Sequence, residues 1–282
     1  MTSATLIEKC CLLANPVAGN PTHYLVEQAF SRSDLDWRFM TFEVDPAKLS
    51  DAMRGIRALG FRGVKIAEPF QEVVIEYLDA LSDRAKLCGS VNCVTAEGDR
   101  LLGDNTEGTA IVGLARETVE LAGRKAMIIG TGRVARAIAV ALADAGAAII
   151  VASRTAEAGQ RLIDLIQKQK EATAACVVLD GTPITIDPDV VILVNATSLG
   201  TSNPTARLML DANSFGPKLV VADVAFNTSR TWLTRQAAER GCRIVDGVQL
   251  YVEQTALALH IWTGIKPDTA SMREAAEEFL GI

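Results

Sequence analysis

The six residues Gly130-Thr131-Gly132-Arg133-Val134-Ala135 stand between an apolar run and an alanine-rich stretch with helical spacing. In a GxGxxA pattern the first glycine permits a tight turn, the second lets the backbone approach a ligand, and the small alanine lets helix and strand pack closely. The first turn of such a helix carries unpaired N–H groups that bind a diphosphate. The segment predicts a strand, turn and helix that hold a dinucleotide; a purely structural turn is the alternative.

The next apolar run, AIIVAS, ends in Ser153-Arg154-Thr155. A site that prefers NAD places an aspartate or glutamate here to accept a hydrogen bond from the ribose 2′-hydroxyl. A guanidinium with neighbouring hydroxyl donors suits a 2′-phosphate instead. We therefore expect NADP rather than NAD, the alternative being that Arg154 is a solvated loop residue.

The chain repeats a pattern of short apolar runs and longer amphipathic stretches twice, once on each side of residue 105. Such alternation is typical of an α/β layer in which helices cover a parallel sheet. In the first half we expect a helix over 72–82 and a hairpin around Glu97-Gly98-Asp99. In the second half we expect helices over 107–123, 156–170 and 229–241, the first capped by Thr106.

The length of 282 residues suits two domains better than one core. We expect an α/β fold with a first domain at residues 1–104, a Rossmann dinucleotide-binding domain at 105–248, and helices at 249–282 that pack back on the first domain.

Composition narrows the possible partners to small molecules. A formal charge of −6 argues against nucleic-acid and anionic-membrane binding. The six cysteines show no zinc-ligand spacing, and with two histidines we expect no metal site. We expect no leader or membrane span, a reducing cytoplasmic compartment, and a monomer or homodimer.

Several segments, in this order, resemble the shikimate/quinate dehydrogenase family over nearly the whole chain. The most specific are LLGDNTEG (101–108) and NATSLG (195–200), which accompany GVKIAEPFQE (63–72), SVNCV and DGVQLYVEQTALAL (246–259). The resemblance implies an N-terminal substrate-binding domain, a Rossmann NADP-binding domain, and hydride transfer between nicotinamide and a secondary alcohol of a cyclic hydroxy acid.

The resemblance also implies which residues bind which ligand. Asn20 and Thr22 match two serines that hold the substrate carboxylate, and Asn92 and Gln254 match the family unchanged. The cofactor residues implied or predicted are Gly130, Thr131, Gly132, Arg133, Val134, Ser153, Arg154, Thr155, Asn195, Thr197, Ser198 and Gly247.

The chain departs from the family pattern at residues that carry the chemistry. Gln71 stands at the position of the proton-handling lysine, and an amide cannot exchange a proton near neutral pH. Glu107 replaces the partner aspartate. Lys65 and Ala67 replace an asparagine and a threonine that bind substrate hydroxyls, and Phe226 replaces a tyrosine.

We hypothesise that Lys65 and Glu107 form a relocated acid/base pair, both also contacting substrate. Two alternatives stay open for Lys65: a fixed cation for a substrate carboxylate, or a structural ion pair with Glu107 or Glu68. Glu107 itself could be only a first-turn acid of its helix. For His23 we favour a packing or capping role over that of a base.

Three functions follow from these residues. We favour an NADP(H)-dependent oxidoreductase acting on a small hydroxy or keto acid other than shikimate, because several altered polar groups would leave shikimate hydroxyls unsatisfied. The alternatives are a true shikimate or quinate dehydrogenase and a non-catalytic regulator that binds NADP.

Overall fold

The computed structural model describes residues 7–169, 172–228 and 230–282. The chain divides into two compact units: Met1–Thr106 with Val252–Gly281 form the first, and Glu107–Tyr251 form the second. No helix in the described ranges is both long and apolar enough to cross a membrane. The expectation that no leader is present rests partly on residues 1–6, outside those ranges.

The first unit is built on a six-stranded mixed sheet in the order β2-β1-β3-β5-β6-β4. Strand β1 pairs in parallel with β2 and β3, whereas β5 is antiparallel to both of its neighbours. Its elements are β1 (Lys9–Ala14), α1 (Thr22–Arg32), β2 (Arg38–Glu43), α2 (Leu49–Ala58), β3 (Gly63–Ile66), β4 (Ala80–Leu81), α3 (Asp83–Cys88), β5 (Cys93–Glu97) and β6 (Arg100–Asp104), with 3₁₀ turns at Pro46–Lys48 and Val73–Tyr77.

The hairpin expectation is confirmed, but the helix expected over 72–82 is wrong. Glu97 pairs with Arg100 across the turn, where Gly98 has a φ of +60°. Residues 73–77 form only a 3₁₀ turn, and β4 then pairs with β6. Three successive β-branched residues disfavour the helix, and the sheet hydrogen bonds take its place.

A C-terminal helix packs on one face of this sheet, and its Trp262 indole lies directly against the backbone of Gly63. A Cβ added to Gly63 would lie 2.3 Å from the indole of Trp262, and the Trp262 Nε1–H donates to Val94 O at 3.0 Å. Trp262 belongs to helix α8 (Gly247–Thr263), whose residues from Val252 group with the first unit, and helix α9 (Thr269–Leu280) packs on α1. Cys10 and Cys11 are fully buried in β1, which confirms that they act as small hydrophobic residues.

The second unit is a doubly wound parallel sheet in the order β14-β13-β11-β7-β8-β9. Its buried strands are continuous apolar runs because helices cover both faces. The elements are α4 (Glu107–Arg116), β7 (Lys125–Ile129), α5 (Arg133–Asp144), β8 (Ala148–Ser153), α6 (Ala156–Ile166), β9 (Ala174–Val178), β10 (Ile184–Thr185), β11 (Val190–Asn195), β12 (Leu210–Asp211), β13 (Val220–Asp223), α7 (Trp232–Glu239) and β14 (Arg243–Val245).

The expected helices of this unit form, with four corrected boundaries, one of which is the end of α7 at Glu239 rather than Gly241. Helix α4 ends at Arg116 rather than Gly123, where the N–H groups of Thr118 and Val119 both donate to Ala115 O. Helix α6 ends at Ile166 and α7 begins at Trp232; residues 170 and 229, included in the expectations, lie outside the described residues.

Candidate active site

The glycine-rich turn has the geometry that its sequence predicts. Gly130 has a φ of +111°, and an added Cβ would lie 3.0 Å from Ala196 O and from Thr197 Cγ2. Ala135, in the first turn of helix α5, is fully buried. The turn therefore needs a glycine both for its backbone conformation and for its approach to the loop that follows β11.

The N-terminus of α5 fits the diphosphate of a dinucleotide. Gly132 is the N-cap and no side chain caps the helix, so the first-turn N–H groups are left for an anion. A Cβ at Gly132 would meet nothing within 4 Å, which shows open space beside the backbone. Thr131 and Val134, also expected to contact the cofactor, are partly exposed on either side of this opening.

The predicted 2′-phosphate residues begin with Ser153, the last residue of β8, at the carboxyl end of the parallel sheet where nucleotides bind. Arg154 is exposed, whereas Ser153 is buried and its Oγ accepts a long bond of 3.4 Å from Thr155 N. The Thr155 hydroxyl accepts from Ala158 N and so caps α6. Arg154 and Thr155 are both exposed, and the Arg154 guanidinium is the charged donor of the three.

The NATSLG loop is held by its own side chains. The Asn195 amide donates to Leu199 O at 3.1 Å and to Asp223 Oδ1 at 3.0 Å, and its Oδ1 accepts from Thr197 N and Oγ1. Asn195 is 1% exposed, so it orders the loop from inside. Ser198 is exposed at the tip of the loop.

Asp223, which sequence reasoning missed, anchors this loop. Its carboxylate accepts from Asn195 Nδ2, Ala225 N and Thr231 Oγ1. Burial raises the pKa of Asp223 above its usual value, against those three hydrogen bonds. Gly247 lies nearby in the same unit, and a Cβ there would lie 2.2 Å from Ala225 O, so close packing alone requires this glycine.

Glu107 is bound by the arginine of the glycine-rich turn. The Arg133 Nη1 donates to both carboxylate oxygens of Glu107, at 2.7 and 2.9 Å. The two side chains are 16% and 9% exposed. Glu107 is the first residue of α4 and Arg133 the first of α5, so the pair joins the N-termini of two helices of the second unit.

The first unit contains a buried polar cluster in which Asn92 is central. Its Nδ2 donates to Gln254 Oε1 at 2.9 Å, and its Oδ1 accepts from the N–H and hydroxyl of Thr106. The Thr106 hydroxyl also reaches Gln254 O at 2.9 Å. The structure thus brings together two of the expected substrate-binding residues, Asn92 and Gln254.

Lys65 lies in β3 and is only 3% exposed. It is paired with Leu12 and Cys93 on the neighbouring strands. Burial raises the pKa of the Cys93 thiol to about 12, and the charge of Lys65 acts in the opposite direction. The expected pairing of Lys65 with Glu107 joins residues of different units and stays a prediction.

The other expected residues of the first unit surround the start of α1 and the end of β3. Thr22 is fully buried, and its N–H and hydroxyl both donate to Asn20 Oδ1, at 3.0 and 2.6 Å. Gln71 is 6% exposed. His23 packs against the rings of Tyr24 and Phe39, in keeping with the packing role expected for it.

A carboxylate outside the predicted set holds the segment that precedes Glu107. Asp104 accepts two hydrogen bonds from the Arg84 guanidinium, both at 2.7 Å, and one from the Ser82 hydroxyl. Burial alone would raise the pKa of Asp104, but Arg84 and Ser82 outweigh it and hold that pKa below its usual value.

Among the residues that the structure describes, no group of three or more His, Cys, Asp or Glu side chains could hold a metal ion.

Two family models match the chain. Residues 12–94 match the shikimate dehydrogenase substrate binding domain, and residues 113–212 match shikimate / quinate 5-dehydrogenase. The chain belongs to the shikimate dehydrogenase family. The oxidoreductase and two-domain α/β expectations are thereby confirmed.

Relatives in this family match the chain over nearly its full length. The shikimate dehydrogenase (NADP(+)) of Archaeoglobus fulgidus is 33% identical over 94% of this chain and 96% of its own. That of Geobacter metallireducens is 34% identical over 92% of each chain.

Solved structures of the family share the fold described above. The ligand-free 5-ketofructose reductase of Gluconobacter sp. strain CHM43 is 33% identical, with a TM-score of 0.93 over 96% of this chain and 98% of that one. A shikimate dehydrogenase in complex with NADP+ is 28% identical, with a TM-score of 0.87 over 97% and 96%.

Proposed function

We propose that this family member transfers a hydride between NADP(H) and a secondary alcohol or ketone of a small polyhydroxylated molecule other than shikimate, with a cyclic hydroxy acid as the first candidate. The observation that carries the proposal is the buried Lys65 amine in β3, in the same segment (63–72) where Gln71 stands at the position of the family's lysine. An amine that is 3% exposed is held in one place, as proton transfer requires.

The second unit would hold the cofactor with residues that fit each of its parts. The uncapped N–H groups after Gly132 suit the diphosphate, and the exposed Arg154 suits the 2′-phosphate. Bound there, the nicotinamide would supply the hydride chemistry, while the protein supplies alignment and a proton path.

The first unit would bind and orient the substrate. We assign substrate hydroxyls to the Asn92 and Gln254 amides, which already fix one another by a hydrogen bond of 2.9 Å. We assign the proton to the Lys65 amine, with Glu107 as its carboxylate partner. The buried Gln71 amide would contribute a hydrogen bond but no proton.

A second candidate substrate is the ketone of a sugar. It is favoured by the similarity to the 5-ketofructose reductase, whose TM-score exceeds that of the shikimate dehydrogenase structure. A keto sugar has no carboxylate to place beside the Lys65 amine, whereas a hydroxy acid has one. The two candidates therefore differ in the charge of the preferred substrate, which is neutral in the first case and anionic in the second.

Steady-state assays with shikimate, quinate, other cyclic hydroxy acids and keto sugars, each with NADP(H) and NAD(H), would test these assignments. We expect one non-shikimate class to exceed shikimate in kcat/KM by roughly 100-fold or more, with NADP preferred. Shikimate or quinate as the best substrate would identify a true shikimate or quinate dehydrogenase. NADP binding without turnover of any substrate would favour the non-catalytic regulator.

A further inference from the structure

Arg133 occupies two functional segments at once. Its backbone starts helix α5 directly after Gly132, in the turn that suits a diphosphate, and its guanidinium contacts both carboxylate oxygens of Glu107. The proposed cofactor turn and the proposed catalytic carboxylate are therefore joined through one side chain.

The contact is set by the packing of the two helices that carry it. A Cβ added to Gly108, the neighbour of Glu107, would lie 2.3 Å from Ala137 O and 2.6 Å from Ala141 Cβ. Helix α4 thus rests on the backbone of α5 one turn beyond Arg133. Because backbone is less compliant than a side chain, the separation of the two helix starts is fixed independently of the ion pair.

The ion pair is also buried enough to hold an orientation. With exposures of 16% and 9%, both side chains are confined by their neighbours, and one Nη1 atom reaches both oxygens. A charge-assisted hydrogen bond of this kind limits rotation of the carboxylate. The ion pair therefore gives the Glu107 carboxylate a defined direction at the start of α4.

We propose that Arg133 is a positioning residue, which orients the Glu107 carboxylate for the reaction and does not bind the cofactor through its side chain. The inference rests on the function proposed above. It assigns the diphosphate to the backbone N–H groups of the turn and reserves the guanidinium for Glu107. Loss of the guanidinium should then lower kcat and leave cofactor affinity unchanged.

The first test compares three substitutions by kcat, KM and NADPH affinity from fluorescence titration. Arg133→Met should lower kcat by roughly 100-fold with NADPH affinity changed less than about threefold. Arg133→Lys should recover part of the loss, because one charged donor remains. Arg136→Met, one turn along the same helix, is the matched control and should leave kcat within about twofold of the unsubstituted protein.

Arg154→Met is the positive control for the titration, since loss of the proposed 2′-phosphate contact should weaken NADPH binding. If Arg133→Met instead weakens NADPH binding tenfold and spares kcat, Arg133 is a cofactor-binding residue and the proposal is wrong. Should Arg133→Met fail to fold, as judged by circular dichroism, Arg133→Lys carries the same comparison.

A double-mutant cycle with Glu107→Gln separates positioning from a general structural effect. If Arg133 acts through Glu107, adding Arg133→Met to Glu107→Gln should lower kcat by less than about threefold further. Additive losses would contradict the proposal while leaving the proposed function intact. An unsubstituted protein that turns over no substrate in the panel would overturn the proposed function, and this inference with it.

Discussion

Lys65 is the single residue on which the proposed proton transfer most depends. It is buried in β3, and methionine has a similar length and no charge. Lys65→Met should therefore fold and lower kcat by about 10²- to 10⁴-fold, the usual contribution of a positioned acid or base. Lys86→Met, in the same unit but on an exposed side chain, is the control. A loss of less than tenfold on the true substrate would exclude the catalytic role.

Single residues could be predicted from the sequence where the backbone or the ligand permits only one kind of side chain. The glycine turn is such a case, because only certain residues permit its backbone at Gly130. Sequence reasoning did not anticipate partners that are remote in sequence: the contact of Arg133 with Glu107, 26 positions away, was not expected, and the cofactor role expected for Arg133 stays a prediction. The role of Asp223 was also missed, because the Asn195 amide through which this carboxylate orders the NATSLG loop is 28 positions away.

Packing between elements gives a sharp prediction at Gly63. Alanine there would place a Cβ inside the contact distance of the Trp262 indole, and the strand and helix would have to separate. Gly63→Ala should lower the free energy of unfolding by about 1–3 kcal/mol in urea denaturation. Gly55→Ala, within helix α2 with nothing within 4 Å of the added Cβ, should instead raise it by ~0.5–1 kcal/mol. If the two substitutions changed the free energy of unfolding equally, close packing of Trp262 on Gly63 would not explain the result.

The hydrogen bonds from Arg84 and Ser82 to Asp104, at the junction of α3 and β6, predict that the free energy of unfolding depends on pH. The folded pKa of Asp104 lies below its unfolded value, so its contribution to stability is present above a pH of about 3.9 and is lost as the pH falls through the folded pKa. Asp104→Asn should lower the free energy of unfolding by about 1–3 kcal/mol at pH 7.

Urea denaturation from pH 7 down to pH 2.5 would show the difference between Asp104→Asn and the unsubstituted protein shrinking with acid. Asp83→Asn, at a fully exposed carboxylate on the same helix, should show no such convergence. A difference that stays constant with pH would mean that the Arg84 contact does not depend on the charge of Asp104.

Elements were predictable where the hydrophobic pattern was clear. Strands β7 and β8 are continuous apolar runs, and helix α5 buries one periodic face. The helix expected over 72–82 failed because pairing of Ala80 with Leu102 is a tertiary event that local periodicity does not encode. Strand β9 was not expected, since Ala174–Val178 is a short apolar run that also suits other structures.

For the molecule as a whole, cofactor binding should appear as added thermal stability. A ligand at 100 times its Kd adds about 2.7 kcal/mol, worth several degrees in Tm for a chain of this size. NADP should raise Tm more than NAD at equal concentration, and Arg154→Met should remove most of that difference. Arg161→Met, an exposed cation on α6, serves as the control. A larger shift with NAD would contradict the 2′-phosphate assignment.

The division of the described chain into two units could be anticipated from the repeated alternation of strands and helices. The substrate could not, because selectivity at the proposed site would depend on which substrate hydroxyls find partners among Asn92, Gln254 and Lys65. Those partners are set by contacts such as that between Asn92 and Gln254, 162 positions apart.

The distance in sequence between the two parts of the first unit also determines the order in which the units can fold during translation. Because Val252–Gly281 complete the first unit, the β1–β6 sheet emerges from the ribosome early and waits for Trp262 and α9 while residues 107–251 are translated. The sheet of the second unit comes from one continuous stretch of sequence, so it can fold before the first unit is complete. A nascent chain stalled before residue 252 would carry an apolar sheet face without its cover, and chaperone capture should peak at that stage of elongation.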